Sequence, residues 1–176
     1  MTSADRLLLS NQRESRISKF RAWVIVIVPL LAILFQVYIP LFFQFLGYLE
    51  LPLLVTVYFA LMRRSPVVGV MVGACVGLVQ DSLSKNPLGM FGIVKTLVGY
   101  FAASVGLRFD VEHGMVRLVL AFFFYFFHQF LYWVLARALL AQQVGFDLQR
   151  TLMLGGLNAL VGVSLFRFLD KLREGT

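Results

Sequence analysis

Residues 66–83 read PVVGVMVGACVGLVQDSL, an apolar run with no charge before Asp81. Gly69, Gly73 and Gly77 recur at every fourth position, and Asp81 continues the spacing. On an α-helix such positions form one stripe. Eighteen residues of helix reach roughly across the hydrocarbon layer of a bilayer. Glycines in a stripe let a second backbone approach closely, as they do between membrane helices. The segment therefore reads as a transmembrane helix with a packing seam. The partner of that seam is a helix of the same chain or of another protein.

The rest of the chain repeats the apolar theme. Spans are predicted at about 22–43, 46–62, 66–83, 88–107, 115–140 and 152–169, with a basic segment 1–21 before them and a tail 170–176 after them. The run Ala22–Phe43 carries no charge, is longer than the core of a signal peptide and lacks a small-x-small cleavage site, so it reads as a retained span bent at Pro29. Leu46–Met62 sits at the lower limit for a span and has Glu50 and Pro52 near its start. Connections are short, so consecutive helices should be antiparallel. The fold class expected is an all-α integral membrane protein. About six transmembrane helices form one compact bundle and a single membrane domain.

Composition agrees. Of 176 residues, 60% are hydrophobic and 14% charged, too little polarity to cover a soluble domain of this size. The net charge of +7 suits a membrane protein with basic loops as well as it suits nucleic acid, and the positions of the charges decide. One side would hold Arg6, Arg13, Arg16, Lys19, Arg21, Arg63, Arg64, Arg108, Arg117, Arg167, Lys171 and Arg173, twelve in all. The other would hold Lys85, Arg137 and Arg150, three in all. That asymmetry predicts cytoplasmic N- and C-termini, lipid rather than nucleic acid as the basic residues' partner, and an even number of spans. Cys75 is the only cysteine, so an internal disulfide and a cysteine-based metal site are both excluded, and it reads as a small packing residue.

Several polar residues fall inside the spans. Asp81 and Lys95 flank the turn 84–87. A buried lysine costs about 3 kcal/mol on insertion scales. Either Lys95 neutralises Asp81 or reaches the interface, or it contacts a ligand or partner. Gly92, Gly99 and Gly106 recur every seven residues beside Lys95 and Ala103. In the Phe-rich fifth segment, Tyr125, His128, Gln129 and Tyr132 share a face and predict a polar seam. Gly155, Asn158, Ala159 and Gly162 give the last segment a small face with one polar group, Asn158, expected to bond a neighbouring helix. Candidate packing or partner positions are thus Gly69, Gly73, Gly77, Gly92, Gly99, Gly155 and Ala159. Candidate intramembrane polar contacts are Asp81, Lys95, His128, Gln129 and Asn158. His113 lies in a loop and cannot join His128 at a metal. No phosphate-binding loop, nucleophile elbow or zinc motif is present, so no catalytic residue, cofactor or metal is expected.

The hairpin from Gly69 to Asp81, followed by Pro87-Leu-Gly-Met-Phe-Gly92, resembles the bacterial rod shape-determining protein MreD family. Its Gly-rich helix ends in Asp and leads to a Leu-Gly turn. The six-span plan and basic N-terminus are similar over nearly the whole chain, whereas the specific motif covers only residues 69–92. The resemblance implies a non-enzymatic inner-membrane component of the cell-elongation machinery, which regulates peptidoglycan synthesis. Its implied direct partner is the bitopic protein MreC. Through MreC it would meet MreB filaments, RodA and the elongation-specific penicillin-binding transpeptidase. A groove of small residues would then receive the partner's membrane helix. A second reading is the substrate-binding membrane subunit of an energy-coupling-factor vitamin transporter, whose general architecture this family is thought to share. Asp81, Lys85, Lys95, Arg150 and Asn158 would then line a pocket. A membrane-embedded enzyme would rest on Asp81 and His128 alone.

Overall fold

Proline and glycine punctuate six α-helices in the computed structural model, which describes residues 20–84, 87–141 and 145–173. The basic segment before Phe20, Lys85 and the last three residues lie outside the described residues. The helices are α1 (Ala22–Tyr38), α2 (Leu51–Arg63), α3 (Pro66–Leu83), α4 (Met90–Gly106), α5 (Gly114–Leu140) and α6 (Leu148–Asp170). Among the described residues there is no strand, only an isolated antiparallel bridge between Phe20 and Arg173. That bridge brings the two ends of the described chain together at one end of the bundle.

Among the described residues, five stretches are long and apolar enough to cross a membrane: Trp23–Leu41, Gln44–Arg63, Pro66–Leu83, Gly114–Leu140 and Leu148–Asp170. Met90–Gly106 is apolar but shorter, at 17 residues. The first two predicted boundaries shift. α1 stops at Tyr38, with Pro29 accommodated inside it, and two 3-10 turns, Ile39–Leu41 and Gln44–Tyr48, carry the chain to α2. The reason is local: Pro40 and Pro52 lack backbone N–H groups, which suits the first positions of a helical turn and not its interior.

The shortest helix occupies the centre. α2 has 13 residues, about 20 Å at 1.5 Å each, against a hydrocarbon layer of about 30 Å. Every residue from Pro52 to Met62 is nevertheless buried, and α2 touches all five other helices. It can be apolar all round because no face of it meets water or lipid. Its terminus is set by Arg64, whose φ of +50° ends the helix in a left-handed turn. Outside it, α1 presents Trp23, Val26, Leu30, Leu31 and Leu34 on an exposed face, as a lipid-facing helix does.

The most extensive helix pair is α3 with α4. A Cβ added at Gly69 would overlap the carbonyl of Gly99, one at Gly73 that of Lys95, and one at Gly77 that of Phe91. Gly99 in turn abuts the Gly69 carbonyl, and Gly106 abuts Leu61 of α2. Backbones in such contact leave no room for any side chain. The stripe is thus filled from within the chain, so it is not a groove open to a partner helix. On α6, Gly155 packs against the Phe122 ring and Gly162 against Ala121 and Leu54, while Ala159 is buried. Cys75 departs from the expected packing role: it is exposed on the outer face of α3.

Candidate functional site

Polar side chains gather at two levels of the bundle. At the end away from Phe20 and Arg173, Asp81 closes the α3–α4 turn. Its Oδ2 accepts the backbone N–H groups of Gly89 (3.0 Å) and Gly92 (2.9 Å), and its Oδ1 that of Phe91 (3.1 Å). These are the orphan donors of the α4 N-terminus, where a carboxylate also meets the positive end of the helix dipole. Gly89 adopts φ +94°, a left-handed conformation suited to glycine. Leu-Gly after the Asp-terminated helix therefore has a backbone reason.

Lys95 does not join Asp81 in an ion pair. With Asp81 occupied by amides, the fully buried Lys95 places Nζ 3.3 Å from His128 Nε2 and 4.3 Å from the centre of the Phe91 ring. A charged Lys95 would donate to Nε2, and Nδ1 has no hydrogen-bond partner among the described residues. Phe91 also stacks on His128 and Tyr132, at 5.9 and 5.3 Å between ring centres. The structure thus joins α4 to α5 through residues that the spacing assigns to separate groups.

The remaining seam residues divide. Gln129 Nε2 donates to the Tyr125 hydroxyl at 3.2 Å, one turn away on α5. Asn158 reaches the entry to α2: its Oδ1 accepts the Glu50 backbone N–H at 2.8 Å, and its Nδ2 donates to the Tyr48 carbonyl at 2.9 Å. It bonds the irregular backbone ahead of a helix rather than a helix face. That backbone would otherwise lie unsatisfied at membrane depth. Glu50, which sequence reasoning passed over, has its Oε2 buried without a hydrogen bond. A lone carboxylate beside a proline at the head of an apolar run was the available signal.

The second level lies at the opposite end. Arg117, counted among the basic residues of one side and inside the predicted span 115–140, is a buried residue of α5. Its Nε donates to the Val111 carbonyl at 2.7 Å, and its Nη1 and Nη2 grip Asp170 of α6. Tyr58 of α2 donates to the same carboxylate at 2.9 Å. One carboxylate therefore ties three helices together, and Arg117 is a bundle clamp with no charge to spare for lipid. Exposed His113 sits 3.5 Å from Asp110 and far along the chain from His128. Among the described residues no three histidine, cysteine or acidic side chains converge as metal ligands.

Two of the recesses among the described residues bear on function. An apolar groove of about 430 Å³ runs between α1 and α3, bordered by Ile25, Pro29, Ile33, Met71, Cys75 and Val79. A polar cavity of about 250 Å³ opens near Glu50 and Arg150. Of the described residues named for a transporter pocket, Arg150 lines it, while Asp81, Lys95 and Asn158 are engaged in contacts within the bundle.

Neither a curated protein nor a solved structure gives a significant match to this chain. The family model described as rod shape-determining protein MreD matches residues 18–172, which takes in all six helices and both polar levels. Apolar helices, a glycine-sealed α3–α4 hairpin and a match of that extent lead to one conclusion: the chain belongs to the MreD family of shape-determining membrane proteins.

Proposed function

We propose that this chain is a non-enzymatic component of the bacterial cell-elongation machinery, a single membrane domain in the inner membrane with both termini cytoplasmic. It acts by binding MreC through the outer surface of its membrane helices. Through MreC it joins MreB, RodA and the elongation-specific penicillin-binding transpeptidase, and so regulates peptidoglycan synthesis. The observation that carries this reading is the family match over residues 18–172. The charge asymmetry supports the orientation, because Arg21, Arg63, Arg64, Arg108 and Arg173 belong to the end where Phe20 meets Arg173.

Packing narrows where MreC would bind. The glycine stripe is sealed, so a partner helix must lie on the exterior, and the α1–α3 groove is an apolar recess of about 430 Å³ there. Affinity purification of a tagged copy from native membranes in mild detergent tests the reading. MreC should co-purify with the unmodified chain and be lost from a Met71→Trp variant, which fills the groove without touching the seam. Failure to recover MreC at all removes the scaffold reading. Recovery of a vitamin-like molecule with transporter ATPase subunits replaces it with the energy-coupling-factor reading, whose fold likeness remains part of this proposal. Leucine at Gly73 or Gly77 is no test of partner binding, since it would first separate α3 from α4.

A further inference from the structure

Glu50 and Arg150 face one cavity. It is bounded by Tyr48, Glu50, Tyr125, Gln129, Arg150 and Thr151. It lies between the α1–α2 connection and the first turn of α6, at the end of the bundle away from Phe20 and Arg173. Its volume, about 250 Å³, suits a headgroup-sized molecule and is too small for most drug-sized ligands.

The walls are chemically two-sided. On one side Glu50 Oε2 is buried and accepts no hydrogen bond. The Glu50 side chain lines the cavity, and a carboxyl group there suits a cationic partner. On the other side the Arg150 guanidinium lies over the Tyr48 ring, 5.5 Å from its centre. Stacking occupies the face of the guanidinium and leaves its in-plane N–H groups to bind an anion. The Tyr125 hydroxyl accepts from Gln129, so its own hydrogen is free to donate. The lining thus offers one group suited to a cation and one suited to an anion.

We propose that this cavity binds a small zwitterion of the phosphoethanolamine kind, with its ammonium on Glu50 and its phosphate on Arg150. The same chemistry is carried by the headgroup of a membrane lipid and by a free soluble molecule. The binding site is separate from the groove assigned to MreC.

Full-length protein in vesicles of equal phosphatidylethanolamine and phosphatidylglycerol is extracted in mild detergent, and retained lipid is counted by native mass spectrometry. Soluble O-phosphoethanolamine is titrated in parallel by calorimetry. Selective retention of phosphatidylethanolamine identifies the lipid as the source, and binding of the soluble probe alone identifies a free zwitterion. In either case Glu50→Gln and Arg150→Gln should each weaken binding by roughly tenfold, about 1.4 kcal/mol. Arg150 is exposed, so its variant should fold normally and keeps the test valid if Glu50→Gln does not. Equal retention of the two lipids without soluble binding overturns the proposal. So does binding that survives the Arg150 substitution unchanged.

Discussion

Nζ of Lys95 and Nε2 of His128 stand 3.3 Å apart with both side chains sealed inside the bundle. Among the described residues neither side chain has another side-chain hydrogen bond, and Phe91 packs against both. Removing His128 strands a cation in an apolar surround. His128→Leu should cost about 1–3 kcal/mol. The double variant Lys95→Met with His128→Leu should lose less than the sum of the single variants. Thermal unfolding in detergent measures the cycle, and strict additivity would show that the contact carries no energy.

The α3–α4 seam predicts a steep dependence on a single methyl group. Gly73→Ala puts a carbon into the Lys95 carbonyl, and neither backbone can retreat without parting the hairpin. A loss near the upper end of about 1–3 kcal/mol is expected, read as a fall in monodisperse protein on fluorescence-detected chromatography. Gly156→Ala is the control, because nothing lies within 4 Å of the added carbon. Equal behaviour of the two variants would contradict the seam.

Asp81 should act as a cap before anything else. Asp81→Asn keeps one acceptor oxygen for three backbone donors and should cost about 1 kcal/mol, with Asp81→Ala nearer 2. Hydrogen exchange should quicken at Gly89, Phe91 and Gly92 and stay slow along α2. Unchanged protection at those three amides would deny the cap.

At the other end, Arg117→Met leaves Asp170 with the Tyr58 hydroxyl and a distant Arg173. Because Asp170 keeps partial access to water, a loss of about 2 kcal/mol is expected, below the range for fully buried pairs. Asp170→Asn should be milder, as it still accepts from Tyr58. A denaturation midpoint shifted more by Asp170→Asn than by Arg117→Met would reverse the assignment of the clamp.

Orientation can be read by labelling. In a Cys75→Ser background, Leu88→Cys and Arg108→Cys place single exposed thiols at opposite ends of the bundle. With cytoplasmic termini, a membrane-impermeant maleimide should label position 88 in intact spheroplasts and position 108 only after permeabilisation. The opposite pattern would invert the proposed topology.

Much of this architecture is legible in the residues, because lipid allows few solutions. Apolar runs give helices, and Gly69, Gly73 and Gly77 announce a close contact by their spacing alone. The stripe does not name its occupant, since an internal and an external helix ask the same of glycine. Polar contacts were less readable. Asp81 and Lys95 lie close along an antiparallel hairpin, yet backbone amides at a helix start outcompete a side chain for a carboxylate. Lys95 then finds His128, 33 residues on, a pairing fixed by helix rotation that no local pattern encodes. Arg117 reads as one more basic residue of one side, and only Asp170, 53 residues later, reveals it as interior.

The bond from Asn158 to the amide of Glu50 spans 108 residues. Synthesis runs from the N-terminus, so the approach to α2 is made early and its polar cover arrives last. Until α6 emerges, a helix too short to cross the bilayer unaided carries bare amide and carbonyl groups at its head. The last helix is therefore the keystone of biogenesis, and a chain arrested before Asn158 would present its quality-control machinery with an open centre rather than a smaller bundle.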